Sequence, residues 1–404
     1  MTGSRETSRL PASYVLRCIA LLWLAGNGTR LTVLAVPPVI PQIHADLRMT
    51  ETEIGILTGL VPVLFACAAV PGSLLIARFG AVRTLIAGLI VSSIASALRG
   101  AVPDLLPLYA TTIVMAVGIA VMHPALPPLA RQWLPDRVSF ATAVYTNGLL
   151  FGEIFPVALT IPLVLPLVAE SWRLVFVVWA VPTLLIGIAL ATLSPPGAPS
   201  RNETPNRKRA WWPNWRDPLT WRLGLMLGSV NSMYFATNAF IPDYLHTIGR
   251  PDLISHALTA LNVGQLPASF LLLAVAGRLT RHSWPYIACG ALCLTGVVGL
   301  VFSNGPWLIA FTALLGFAAS ATLVLLLALP PLLSAPDDTH RLSAAMFTIS
   351  YSCAVIVPII SGLVWDLTAT AGLAFVPIGA CALTLMALAL TLRFRRRDFA
   401  GQTV

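Results

Sequence analysis

The chain has 404 residues, 57% hydrophobic and only 10% charged, whereas soluble domains carry about 25% charged residues; too little charge is present to cover a soluble surface of this size. The net charge of +9 does not point to nucleic acid, because the basic residues fall as short arginine groups between apolar blocks and Lys208 is the only lysine. Each block is about 20 residues long, enough to cross a hydrocarbon layer of roughly 30 Å as a helix, the form lipid imposes on a backbone that must pair its own polar groups. The alternating pattern of a membrane barrel is absent.

In chain order the apolar blocks predict twelve spans, at 14–40, 53–76, 84–102, 106–130, 138–165, 172–194, 220–242, 256–277, 284–303, 306–332, 342–365 and 372–392. The first is too long for the core of a cleavable signal and lacks a small-residue cleavage pattern. Arginines then set the topology. With a cytoplasmic N-terminus the inner loops hold Arg5, Arg9, Arg78, Arg83, Arg131, Arg137, Arg201, Arg207, Lys208, Arg209, Arg216, Arg278, Arg281, Arg341, Arg393, Arg395, Arg396 and Arg397, against Arg48 and Arg250 outside and Arg173 at the edge of span six. That imbalance places both termini inside, and the expected location is a bacterial-type plasma membrane. All six cysteines, Cys18, Cys67, Cys289, Cys293, Cys353 and Cys381, fall in apolar runs with no disulfide or metal spacing.

The first span, YVLRCIALLWLAGNGTRLTVLAVPPVI, carries Arg30 near its middle. A guanidinium stays charged at any working pH, and at mid-membrane it costs roughly 2.5–3.5 kcal/mol on insertion scales. It is expected to face a polar cavity or a partner, and its planar donor fork suits an oxyanion or another electron-rich group. Asn27, three residues earlier, shares its face in a regular helix. Glu153, in span five, is the one acid placed deep in a span; it is a candidate counter-ion of Arg30, proton carrier or direct ligand. His123, before Pro124 in span four, is either a proton relay or a kink residue bonded to a carbonyl that the proline leaves free. His44, His246, His256, His282 and His340 read as loop residues. Arg99, ending span three near Asp104, and Arg17 read as interfacial anchors. Gly55, Gly59, Gly118, Gly148, Gly152 and Gly316 are expected to permit close helix contact.

Residues 195–219, SPPGAPSRNETPNRKRAWWPNWRDP, break the pattern with prolines, a basic cluster and Trp211, Trp212 and Trp215. They read as a cytoplasmic linker resting on membrane lipid, and divide the chain into six-span halves at 1–194 and 220–404. The halves echo each other: ARFGAVRT (77–84) and AGRLTRHS (276–283) each put two arginines in the loop after a second span. In span seven Asn231, Tyr234 and Asn238 form a polar stripe at helical spacing, facing Arg30 if the halves correspond. Asn262 and Gln265 do the same in span eight, and Thr348, Tyr351 and Ser352 more weakly in span eleven.

With these residues in place the chain resembles the major facilitator superfamily over essentially its whole length. Gly72, Arg78, Gly80 and Arg83 match that family's gating loop between the second and third helices, with Ala77 where the family has an acid. Within the family it resembles the branch of cyanate permeases and 2-nitroimidazole transporters, through Asn27, Arg30, Pro37, Pro38 and Pro41-Gln42-Ile43, then Asp46-Leu47, Leu98-Arg99, Pro135-Asp136-Arg137, Asn262 and Pro267. The resemblance implies an all-α membrane protein of twelve helices in two six-helix bundles, working by alternating access. The expected function is a monomeric secondary transporter of a small anionic or electron-rich solute, held by Arg30, Asn27, Asn231, Tyr234, Asn238, Asn262, Gln265 and Tyr351, with Glu153 and His123 as candidates for proton coupling. The alternative is an exporter of neutral heteroaromatics such as nitroimidazoles. No cofactor or metal is expected. No phosphate-cradling loop suggests ATP use, and no HExxH or GxSxG motif suggests an intramembrane enzyme.

Overall fold

The computed structural model describes residues 11–49, 51–195 and 211–392, so Arg5, Arg9, Arg201, Arg207, Lys208, Arg209, Arg393, Arg395, Arg396 and Arg397 lie outside the described residues. Twelve long helical segments follow one another: α1 (Ala12–Val39), α2 (Glu51–Phe79), α3 (Ala81–Arg99), α4 (Leu105–Trp133), α5 (Pro135–Leu167), α6 (Trp172–Leu193), α7 (Pro218–Thr247), α8 (Pro251–Leu279), α9 (Trp284–Phe302), α10 (Pro306–Leu333), α11 (Thr339–Thr368) and α12 (Ala371–Thr391). Eleven of the described helices are long and apolar enough to cross a membrane. The other, α7, has 30 residues and is made less apolar by its stripe of Asn231, Tyr234 and Asn238 and by Arg222 and Asp243.

The helices pack as two bundles. In the first, α1 lies on α5 and α6, α2 on α4, and α3 on α4 and α6; in the second, α7 lies on α10, α11 and α12, and α9 on α10 and α12. The bundles meet where α2 packs on α11 and α5 on α8. They touch at the end where the linker joins: Arg131 donates to the Ser334 carbonyl at 2.6 Å, and Val138 packs with Ala328 and Leu332. The linker's described end spans the same seam. Ser73 of α2 donates to the Trp211 carbonyl at 2.7 Å, and Arg341 of α11 to the Trp212 carbonyl at 2.9 Å. At the far end, Asp46 takes hydrogen bonds from Arg173 and from Trp172, which together hold its carboxyl below the usual aspartate range.

The spans predicted as continuous are broken where the site will lie. In α1 the helix stops at Gly28 and resumes at Leu31. The amide and the hydroxyl of Thr29 both turn back to the Gly26 carbonyl, at 3.2 and 2.7 Å, so a short polar side chain competes with the regular backbone ladder. In α4 the break falls at His123, because Pro124 has no N–H to offer the turn before it. In α8 it falls at Gly264.

Glycines set the distance between α1 and α5. A Cβ at Gly148 would collide with the Trp23 carbonyl, one at Gly26 with the Tyr145 carbonyl, and one at Gly152 with the Asn27 carbonyl. The two helices therefore touch backbone to backbone, which brings a side chain at position 30 beside one at 153. Gly316 meets the Leu261 carbonyl in the same way in the second bundle, and Gly118 packs closely on α3, but Gly59 has open space before it; the surroundings of Gly55 lie outside the described side chains. Around the turn from α2 to α3, Gly72 abuts the Val121 backbone, Gly80 turns the chain at φ +86°, and Arg78 and Arg83 are exposed.

Two readings of polar residues need correction. Arg99 is not an interfacial anchor: it is fully buried, with 0% of its surface exposed. His340 is not a loop residue but is buried in the first turn of α11, and His44, His246 and His256 also lie in helices rather than loops. At Arg99 and His340 neighbouring helices cover what looks, along the chain, like a span end.

Candidate functional site

A cavity of about 40 Å³ lies between the bundles at the level of these breaks, and Arg30, His123, Glu153, Asn231, Tyr234, Gln265 and Tyr351 all line it. Its walls come from both halves of the chain. Arg30 sits at the interruption of α1, with φ −120° and ψ −28°, so its guanidinium leaves the helix where the backbone is irregular. Its Nε lies 3.3 Å from Glu153 Oε1, and its Nη2 donates to the Tyr351 hydroxyl at 3.2 Å. The Phe65 ring lies below it, 5.8 Å from Cζ to centroid. The Nε–carboxylate contact lacks hydrogen-bond geometry, so Glu153 balances the charge without consuming the donor fork.

The polar stripe of α7 divides into two parts. Asn231 and Tyr234 reach the cavity, and Asn231 is held by its Nδ2 donating to Ser350 Oγ at 2.7 Å. Asn238 and Asn262 do not line it. They stand behind Tyr234: its hydroxyl donates to Asn262 Oδ1 at 2.6 Å, Asn262 Nδ2 donates to Asn238 Oδ1 at 3.3 Å, and Asn238 Nδ2 donates to the Tyr234 carbonyl at 3.0 Å. Asn27 is also displaced from the expected face. The break at Thr29 turns it away from Arg30, and it is buried against Gly152, with its Nδ2 unpaired among the described residues. Of the α11 stripe only Tyr351 faces the cavity.

His123 is 2% exposed, and neither ring nitrogen has a hydrogen-bond partner among the described residues. The expected bond to a freed carbonyl is therefore not made. Its ring instead packs among Phe65 at 5.2 Å, Phe347 at 5.3 Å and Tyr351 at 6.3 Å between centroids. A polar ring enclosed this way keeps both nitrogens available to whatever enters the void.

Sequence reasoning missed Tyr145 and Ser320, which also line the cavity. Tyr145, Leu149 and Glu153 recur every four residues, so one face of α5 carried a legible signal. It missed Asn147 as well, which joins the bundles by accepting from Trp23 Nε1 at 2.9 Å and donating to Ser269 Oγ at 3.0 Å.

Tyr351→Phe isolates the contact between bundles. It removes the hydroxyl that Arg30 Nη2 uses, a bond worth roughly 1.5–3 kcal/mol with a charged donor. An anion that competes for that donor should then bind about ten-fold more tightly, as read by displacement titration of the purified protein; unchanged or weaker binding would mean that Tyr351 is a ligand rather than a competitor.

Comparison with known proteins supplies the wider context. The family model described as Major Facilitator Superfamily matches residues 22–358. The chain is 25% identical over 380 residues to the cyanate transport protein CynX of Escherichia coli K12, covering 93% of this chain and 96% of that one. It is 26% identical over 353 residues to the 2-nitroimidazole transporter of the same organism, covering 86% and 88%. Among solved structures, the proton:xylose symporter XylE superposes with a TM-score of 0.77 at 13% identity, covering 95% of this chain and 96% of that one, a likeness of fold. Two bundles of membrane-crossing helices around a central polar cavity agree with that match, and the chain belongs to the major facilitator superfamily, a family of transporters rather than enzymes.

Proposed function

We propose that the protein is a secondary active transporter that moves a small anion by alternating access, with Arg30 as the anchoring charge. The observation that carries this reading is a guanidinium in a cavity between bundles, charge-balanced by Glu153 at 3.3 Å, with Nη2 donating to Tyr351 and Nε unbonded among the described residues. Size favours a small solute over a ring. The void is about 40 Å³ in this conformation, less than the roughly 150 Å³ that a benzene-sized guest occupies. Asn231, Tyr234 and Gln265 supply the opposite wall, with Asn238 and Asn262 fixing Tyr234. With both termini cytoplasmic in a bacterial plasma membrane, the closed end bearing Arg131 and Ser334 is the inner one. Glu153 and His123 both line the void and are the candidates for proton coupling. The gating loop of Gly72, Arg78, Gly80 and Arg83 hinges the inner face, and the protein works as a monomer in contact with lipid.

A second reading, transport of neutral heteroaromatics, draws on the rings of His123, Phe347 and Tyr351 on the void, with Phe65 packed against His123 and Tyr351. Proteoliposomes separate the two. Uptake of labelled cyanate, driven by an imposed pH gradient and competed by excess unlabelled anion but not by 2-nitroimidazole, supports the small-anion reading. Uptake of 2-nitroimidazole alone, insensitive to anions, overturns it.

A further inference from the structure

The most unusual charge in the molecule is not Arg30 but Arg99. It ends α3, is 0% exposed, and has no ion-pair partner among the described residues. Its Nη1 donates to the Thr32 carbonyl at 3.2 Å and touches Met115 Sδ at 3.2 Å, and its Cζ stands 4.2 Å from the centre of the Phe176 ring. The Nε and Nη2 groups find no acceptor among the described residues. A buried cation without a counter-ion is costly, so its few contacts must accomplish something specific.

The contact with Thr32 is the informative one. After the break at Thr29, the resumed turn Leu31–Leu34 is too short to pair its own carbonyls. The amide of Val36, which a regular helix would direct to Thr32, turns to the Val33 carbonyl at 3.4 Å, and Pro37 follows with no N–H at all. The Thr32 carbonyl is thus left at the carbonyl-rich end of a helical fragment, where positive charge is favourable, and Arg99 answers it. The Phe176 face holds the guanidinium flat from the other side. Thr32 is two residues from Arg30, and the two backbones are tied through Val33 and Leu34 amides that both bond to the Arg30 carbonyl at 3.0 Å.

We infer that Arg99 is a positioning residue: it pins the broken outer half of α1 and so fixes where Arg30 presents its charge. This rests on the reading of Arg30 as the substrate anchor, but the pin itself is tested without any solute. Amide hydrogen exchange of the purified, full-length protein is compared between wild type, Arg99→Met and Arg99→Lys. In Arg99→Met the amides of residues 31–36 should exchange about ten-fold faster, with α9 unchanged as an internal reference. Arg99→Lys keeps a charged donor and should restore most of the protection. Phe176→Leu, which keeps the charge but removes the flat support, should give a smaller change in the same direction and decides the matter if Arg99→Met does not fold. Unaltered exchange at 31–36 in Arg99→Met, or in Phe176→Leu where that variant stands alone, overturns the inference, as does an Arg99→Lys variant as unprotected as Arg99→Met. With cyanate as the transport probe, Arg99→Met should raise KM about ten-fold and change kcat less. Absence of cyanate uptake by the wild-type protein would count against the transport reading and leave the exchange result to judge Arg99.

Discussion

Arg30→Gln should abolish uptake of small anions and lower thermal stability together, and adding Glu153→Gln should restore the stability without restoring transport. The geometry makes the two effects separable. Glu153 Oε1 lies 3.3 Å from Arg30 Nε, and the two side chains are only 12% and 18% exposed. Removing one member of a buried pair strands the other charge, at a cost of roughly 3–5 kcal/mol. Neutralising Glu153 as well removes that stranded charge, and a neutral pair of similar shape is often no less stable than the ion pair it replaces. Solute binding behaves differently, because it needs the guanidinium itself. Losing a charge-assisted contact to the solute costs roughly 2–5 kcal/mol, a loss of at least about 30-fold in affinity. Melting in detergent and uptake in proteoliposomes read the two quantities independently. Double and single variants that melt at the same temperature would refute the pairing, and transport surviving in the double variant would remove Arg30 from the binding site.

Gly148→Ala should be as damaging to the site as a change within it, whereas Gly59→Ala should be harmless. At Gly148 the added methyl group would overlap the Trp23 carbonyl, which is backbone and has no rotamer to yield. The helices α1 and α5 must then move apart, at a cost of about 1–3 kcal/mol in overpacking, and the shift is passed to the Arg30–Glu153 pair because Gly26 and Gly152 hold the same seam. Anion affinity should fall by about ten-fold or more. At Gly59 nothing lies within 4 Å, and alanine is the better helix former by roughly 0.5–1 kcal/mol, so the variant should melt at or slightly above the wild-type temperature. Equal behaviour of the two variants would show that the seam is looser than its geometry implies.

The comparison of sequence and structure turns on where the helices break. Span number and type were legible because lipid permits one backbone solution for a 20-residue apolar block, and the blocks are separated by arginines and prolines. Arg30 and Glu153 were legible as residues that need a polar cavity or a partner, because charge inside such a block is expensive wherever it sits. The error over Asn27 came from treating α1 as unbroken: three-residue spacing puts two side chains on one face only while the helix continues, and Thr29 ends it. Asn238 and Asn262 were found by the same stripe that found Tyr234, but periodicity does not tell a residue facing the void from one supporting its neighbour. Arg99 was misread because its position at the end of a span does not reveal that α1, α4 and α6 close over it.

The sequence by itself determined that this chain crosses a membrane many times as helices, in two echoing halves, with a fixed positive charge committed to the first. Hydrophobic length, arginine placement and the cost of burying charge are local properties, and they read directly from residue order. Only the tertiary structure decided that Glu153 stands beside Arg30, that Tyr351 from the other bundle reaches the same guanidinium, and that His123 keeps both nitrogens unbonded among the described residues. Those facts depend on glycine seams, on helix interruptions and on residues more than a hundred positions apart arriving at one void, and no pattern within a single span encodes that arrival.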